Sequence, residues 1–365
     1  MKDSLKKEEL IMKKLTVTAL MTVLLVSVVH AYNPPAGGES LFELSSPAGL
    51  TGGFTVAGGA LFSAGSDSLI VNPALAAGEQ RTALNLGYTA LISTNEANSL
   101  KFGSAVQAGL LVPLKLYVVS GYLNGTFVPF EEMNVRNSIS LKGGISKEIT
   151  DKLDVGLSLN TGFAWGNNPD WALGANLGGV YNMGNLAFMK DFRIGASILN
   201  LGKNFSASSA IGLKDGDVSM YPALATIKAG VSATLVDTQI LKLGGAADIT
   251  VPFFQNVILD LGLKASVKDM LVISVAEKVN LVESLNGSYN FIPSIGLSYR
   301  FSFDVHNSEY LEKNGWSESE MTVMAAYKPM YSTVHAASVG VDVDLGMKDE
   351  TPPVIEIKFD DDDEE

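Results

Sequence analysis

Past Ala31 the chain never runs about eighteen apolar residues without a Gly, an Asn or a charge. It repeatedly alternates apolar and polar side chains at every second position. That period is the period of a strand with two unlike faces, and it leaves no transmembrane helix for the chain to form. In 154–165, Val155, Leu157, Leu159, Phe163 and Trp165 share one face, while Asp154, Ser158, Asn160 and Gly162 share the other. The same phase returns in 257–267, where Val257, Leu259, Leu261 and Leu263 oppose Asp260, Gly262 and Lys264. It returns again in 295–303, which sets Ile295, Leu297, Tyr299, Phe301 and Phe303 against Ser298 and Arg300, and in 339–345.

An apolar strand face is buried either in the core of a sandwich or against lipid. These runs reach ten residues or more, the length of a tilted membrane strand; sandwich strands usually have five or six. The opposite face is small and polar, as a lumen requires. With 36 Gly, 18% charged residues and a mean hydropathy of +0.22, the composition also suits a barrel wall better than a soluble exported domain. The expectation is an all-β fold, a transmembrane antiparallel β-barrel of about 14 strands over 81–346. Its runs lie near 81–92, 100–111, 114–126, 136–148, 151–165, 171–182, 190–200, 222–235, 239–250, 255–267, 270–278, 291–303, 321–328 and 332–345. An even number puts both ends of the barrel on the periplasmic side. The connections at 127–135, 201–221 and 279–290 would then face outward. The polar connection 304–320 is long yet falls on the periplasmic side, so it is either a helix there or a sign that the count slips. Trp165 and Trp171 flank the turn 166–170 and suit an aromatic girdle at the outer interface.

Residues 1–31 read as a secretory leader. Met12, a possible start, precedes Lys13-Lys14, an apolar run from Leu15 to Val29, and Val29-His30-Ala31 with cleavage after Ala31. Without the five lysines and three acids of this segment, the formal charge moves from −13 to −15, a sign that disfavours nucleic acid. There is no Cys, hence no disulfide and no acylated lipoprotein Cys; stability would come from a closed sheet with no free edge. Residues 347–365 contain Thr351-Pro352-Pro353 and the run Asp360 to Glu365, and read as an acidic tail or linker.

Between leader and wall, residues 32–80 are rich in Gly, Ala, Ser and Pro and lack a strand period, which suits a hatch or plug. Within it, Asn72-Pro73 suits a turn, because the proline ring presets its own φ and drives Asn72 to extended geometry. Ala64-Gly65-Ser66-Asp67-Ser68 followed by Asn72-Pro73-Ala74 resembles the hatch motif of the FadL-type outer-membrane long-chain fatty-acid transporter family, and is closest to its spirochaete (Treponema) members. Many members read Asn-Pro-Ala-Gly-Leu-Ala, whereas here Ala74 is followed by Leu75-Ala76-Ala77-Gly78. The resemblance implies a 14-stranded barrel in the outer membrane of a diderm bacterium. It also implies Asp67, Asn72, Pro73 and Ala74 as the hatch motif, and a hydrophobic ligand such as a fatty acid that leaves sideways through a gap at a kinked strand.

Chemistry beyond transport is not visible. His306 and His335 are isolated, and no nucleophile, phosphate-binding or metal-binding motif is present, so the reading is not an enzyme, with no cofactor and no metal. Lys228, Lys264 and Arg300 lie on the lumen phase; they either contact a ligand carboxylate or pair with acids such as Asp248 and Asp260. Gly121 is the expected strand kink. The expected partners are a hydrophobic small molecule and outer-membrane lipid, with the barrel monomeric. The competing reading is a plugged barrel that serves as a surface adhesin, antigen or secretion scaffold.

Overall fold

In the computed structural model, residues 43–347 are described apart from 52–54, 59–63, 95–99, 131–136, 166–168, 207–219, 222–224, 253, 255–256, 286–292, 305–307 and 331–333. The expected leader 1–31, residues 32–42 of the expected hatch, His306 and the expected tail from 348 lie outside the described residues.

The alternating runs form long strands: β1 (Thr82–Ser93), β2 (Lys101–Pro113), β3 (Val118–Phe127), β4 (Asn137–Thr150), β5 (Leu153–Trp165), β6 (Asp170–Leu186) and β7 (Met189–Lys203). A two-residue hairpin, β8 (Phe205–Ser206) with β9 (Met220–Tyr221), interrupts the series. Then come β10 (Thr226–Asp237), β11 (Leu241–Val251), β12 (Ile258–Val267), β13 (Leu271–Asn280), β14 (Ser294–Asp304), β15 (Glu318–Pro329) and β16 (Val334–Leu345).

Fourteen of these strands pair antiparallel with their neighbours, β7 joining β10, and β1 closes the cylinder against β16 from Thr82↔Leu345 to Ser93↔Val334. Every expected run coincides with a wall strand, with boundaries moved by a few residues. A closed sheet satisfies its own backbone and leaves no edge, so the wall can sit in hydrocarbon. No helix among the described residues is long and apolar enough to cross a membrane.

The period assigns the faces. On β1, Leu84, Leu86 and Tyr88 point outward and exposed, while Ala83, Asn85 and Thr89 point inward and buried. On β5, Leu157, Leu159 and Phe163 are outside, and Ser158 and Asn160 are inside. Trp165 and Trp171 lie at the end away from the termini, with Phe127 and Phe163 rings 6.0 and 6.1 Å from Trp165 and Lys203 over Trp171. The long connections share that outer end. The connection after β14 lies at the inner end with the termini and carries a short helix (Glu309–Lys313), capped by Ser308, so the strand count does not slip there.

One feature of the wall differs from expectation. Gly121 sits in unbroken ladders on both sides, opposite Leu110 and Gly143, so the kink expected there is absent; without an extra residue to accommodate, the strand has no reason to bend. The register shifts fall elsewhere, as between β6 and β7, where Asn200 takes φ 62° and its N–H donates to Asn176 Oδ1 at 2.7 Å. Asn is one of the few residues that adopts that region readily. Among the described residues the shortest seam is β13 with β14, six pairs from Leu271↔Tyr299 to Ala276↔Ser294.

Candidate functional site

The lumen is filled by the segment that precedes β1. Its local structure follows from two hydroxyl- or amide-proline pairs. Ser46 accepts from the Gly49 N–H at 2.9 Å and Pro47 opens a single helical turn, α1 (Pro47–Leu50). Asn72 Oδ1 likewise accepts from the Ala74 N–H at 3.0 Å, and Pro73 opens the 3-10 turn Pro73–Ala76. Ala77 closes that turn in ordinary right-handed geometry, φ −58° and ψ −39°, so the displaced Gly78 is not needed for the turn. Two more 3-10 turns, Glu43–Ser45 and Ser66–Ile70, complete the described part of the plug.

Asp67, Asn72, Pro73 and Ala74 are all buried inside the barrel. Asn72 is the hub: its Nδ2 donates to the Val56 carbonyl at 2.7 Å and to the Gly179 carbonyl of β6 at 3.1 Å. Around it the wall donates to plug carbonyls, Ser146 Oγ to Pro73 at 2.5 Å and Ser197 Oγ to Val71 at 2.7 Å. Across the lumen, Asp248 of β11 accepts from Thr55 Oγ1 at 2.9 Å and from the Val56 N–H at 2.7 Å. Nearer the first turn, Ser45 Oγ lies 2.9 Å from Tyr122 Oη, which donates to Gln107 at 2.8 Å.

Glycines on the lumen phase let the plug touch the wall. A Cβ at Gly156 would overlap the Pro73 carbonyl, one at Gly195 the Val56 carbonyl, and one at Gly178 the Asn72 side chain. Gly109, Gly144 and Gly296 meet Ser66, Leu69 and Thr51 in the same way. By sequence alone these glycines read only as small residues of the lumen face. The signal that could have found them is a lumen-phase Gly recurring on strand after strand.

The cations expected on the lumen phase are there, but they are engaged. Lys228 lies 3.5 Å from Glu43 and 3.9 Å from Asp260. Lys278, which the sequence did not single out, bonds Glu43 and lies 3.8 Å from Asp260. Burial opposes the charge on Glu43, yet the attraction of Lys278 and Lys228 outweighs it and holds the carboxyl at about 2. Lys264 lies in electrostatic range of Asp67 and Arg300, and Arg300 of Asp342 and Asp344. Burial raises the Asp67 carboxyl above its ordinary value, partly offset by a hydrogen bond with Gln107 and by Lys264. At the inner rim, Arg81 binds Glu79 at 3.1 Å, Glu320 at 2.5 Å and Asp344 at 3.2 Å. A small cleft of about 20 Å³ remains between the first turn and β10–β13, lined by Glu43, Lys228, Asp248, Asp260, Glu277 and Lys278 among others.

No family model matches the chain, and no curated protein matches it. Among solved structures it is similar to a CymD monoaromatic hydrocarbon channel, with TM-score 0.52 and 12% identity over 85% of this chain and 99% of that one. It is also similar to a TodX monoaromatic hydrocarbon channel carrying a deltaS2 mutation, with TM-score 0.50 and 10% identity over 85% of this chain and 100% of that one. At these identities the likeness is one of fold.

Proposed function

We propose that this chain is an outer-membrane barrel through which hydrophobic small molecules are taken up, with the segment before β1 as a movable hatch. One observation carries the reading. Among the described residues, no backbone-to-backbone hydrogen bond joins plug and wall; the plug is held by side-chain bonds and ion pairs. Each such bond contributes only about 1 kcal/mol net and can be exchanged for water, whereas the wall is stitched by continuous ladders. Plug and wall therefore differ in how readily they come apart, as a gate requires.

The hatch-motif resemblance supports membership of the FadL-type family and a long-chain fatty acid as one substrate class. The fold shared with monoaromatic hydrocarbon channels supports a second, uncharged class. The outward apolar band and the aromatic end near Trp165 support an outer-membrane location. The reading as a plugged scaffold is favoured by the glycine contacts alone, since they close the lumen tightly.

A cross-link separates the two. The chain has no native Cys, and Ser66 Oγ donates to Asn85 Oδ1 of β1 at 2.8 Å, so Ser66→Cys with Asn85→Cys tethers hatch to wall. Uptake of labelled dodecanol by cells carrying the oxidised protein should fall to that of cells without the barrel, and return on reduction. Uptake that ignores the tether would favour the scaffold.

A further inference from the structure

We propose that the outward face of β3 to β5, at the inner end of the barrel, binds an anionic phospholipid of the surrounding leaflet and holds its headgroup on Lys115, Lys147 and Lys152. This rests on the outer-membrane reading above and not on what crosses the lumen.

Lys147 stands on the lipid-facing phase of β4. Ser146 beside it turns inward to the Pro73 carbonyl, whereas Lys147 pairs across the ladder with Val155, which is exposed on the outer face of β5. Along β4 it follows Ile145 and precedes Ile149, both exposed. A long amine on an apolar face at the end of a membrane wall runs its stem along the acyl chains and puts its charge at the level of the phosphates. Lys115 and Lys152 are exposed on the turns β2–β3 and β4–β5 at the same end. Tyr117, on the first of these turns, directly precedes the pair Val118↔Ser146 and so comes up beside Lys147 with its ring exposed. Among the described residues, none of the three ammonium groups has an ion pair.

The nearby acids leave that charge in excess. Glu148 is on the lumen phase, with Oε1 3.0 Å from where a Cβ on Gly78 would stand, and its ladder partner Asp154 shares that phase. Only Asp151, on the β4–β5 turn, faces the three lysines from outside. Elsewhere at this end the cations are engaged: Lys190 with Asp237 at 3.0 Å, Arg193 with Asp191 at 2.9 Å, and Lys242 with Asp269 at 2.9 Å. Lys268 adds a single cation beside the last pair, and the connection after β14 sets Glu309, Glu312 and Glu318 against Lys313. Among the described residues, three unpaired cations therefore stand together in one sector, where they complement a phosphate. The apolar wall beside them has a place for an acyl chain. Gly121 and Gly143 are direct partners on the outward phase, and a Cβ on either would meet nothing within 4 Å, while Val119, Leu123, Leu141 and Ile145 stand out around them. Four residues of strand take Gly143 to Lys147, about 13 Å, which is within the reach of a membrane acyl chain.

The full-length barrel, folded in detergent micelles, is offered equal amounts of phosphatidylglycerol and phosphatidylcholine with the same acyl chains, and retained lipid is counted by native mass spectrometry. Phosphatidylglycerol should be retained over phosphatidylcholine by about tenfold, since each lysine near the headgroup adds a several-fold gain. Lys115→Gln with Lys147→Gln and Lys152→Gln should bring the two lipids close to parity. Lys242→Gln, at a paired lysine in another sector, should leave the preference as it was. Lys147→Gln alone should lower it several-fold, and serves if the triple variant does not stay heat-modifiable on gels. Excess glycerol 3-phosphate, which has the charge and no acyl chains, should not displace the lipid. Equal retention of the two lipids, retention of neither, or a preference that survives the lysine variants would overturn the site. Displacement by glycerol 3-phosphate would overturn the assignment to a lipid. None of these outcomes bears on uptake through the lumen.

Discussion

The amide of Asn72 bonds the carbonyl of Val56, 16 residues earlier, while its oxygen caps the turn begun by Pro73. One side chain thus ties two separate parts of the plug together, and through Gly179 it ties both to β6. Asn72→Ala should leave the barrel heat-modifiable, because no ladder bond is touched. It should weaken plug docking by about 1–3 kcal/mol, since two carbonyls and one N–H lose their partner. Hydrogen exchange over 64–80 is the measurement, with faster exchange expected there and unchanged exchange in the wall.

The glycine contacts predict a stronger effect from the wall side. Gly156→Val places methyl groups where the Pro73 backbone lies, and backbone cannot step aside as a side-chain tip can. The plug should be displaced from an assembled barrel. Leakage of small hydrophilic dyes from vesicles should then rise above that of wild type. Gly121→Val, at a glycine whose Cβ would meet nothing within 4 Å, should not leak.

Leu159 is 60% exposed on the outer face and Asn160 is 5% exposed on the inner face of the same strand. Leu159→Arg should impair assembly by about 2–4 kcal/mol near the midplane of the bilayer, whereas Asn160→Ser should be tolerated. Asn160→Arg, harmless in an open water-filled lumen, is not expected to be so here. The side chain packs within 3.2 Å of the position a Cβ at Gly174 would take. Assembly yield in urea titrations from vesicles distinguishes the three.

The plug should also loosen in acid. Glu43 is depressed from 4.5 to about 2 in the docked state, so its contribution is fully present above about 4.5 and is lost as pH falls toward 2. The contribution is at most about 3 kcal/mol, and the cost of burying the ion pair reduces what is gained. Glu43→Gln should release much of the plug at neutral pH and flatten the acid dependence between 4.5 and 2. Dye leakage followed against pH reads both effects. Asp67, raised by burial, works in the opposite sense, favouring the docked plug at pH below its titration and opposing it above.

The wall was legible in the sequence because lipid on one side and a lumen on the other impose a two-residue period on every strand, and each run carries that period within its own ten residues. Asn72-Pro73 was legible as a turn for the same local reason, since proline and its predecessor constrain their own dihedrals. Local pattern could not say what those residues touch. Thr55 meets Asp248 from 193 positions away, and Glu43 meets Lys278 from 235. Those pairings exist only because the cylinder closes around the plug and brings distant lumen-phase positions to one level. Gly121 shows the limit from the other side: a glycine permits a kink, and the pairing on both flanks decides whether one forms. The alternation of apolar and polar residues determined that this chain is a barrel. Closure of the sheet decided which charges meet inside it, because a lysine on the lumen phase is free or engaged according to what the opposite wall and the plug place within 4 Å.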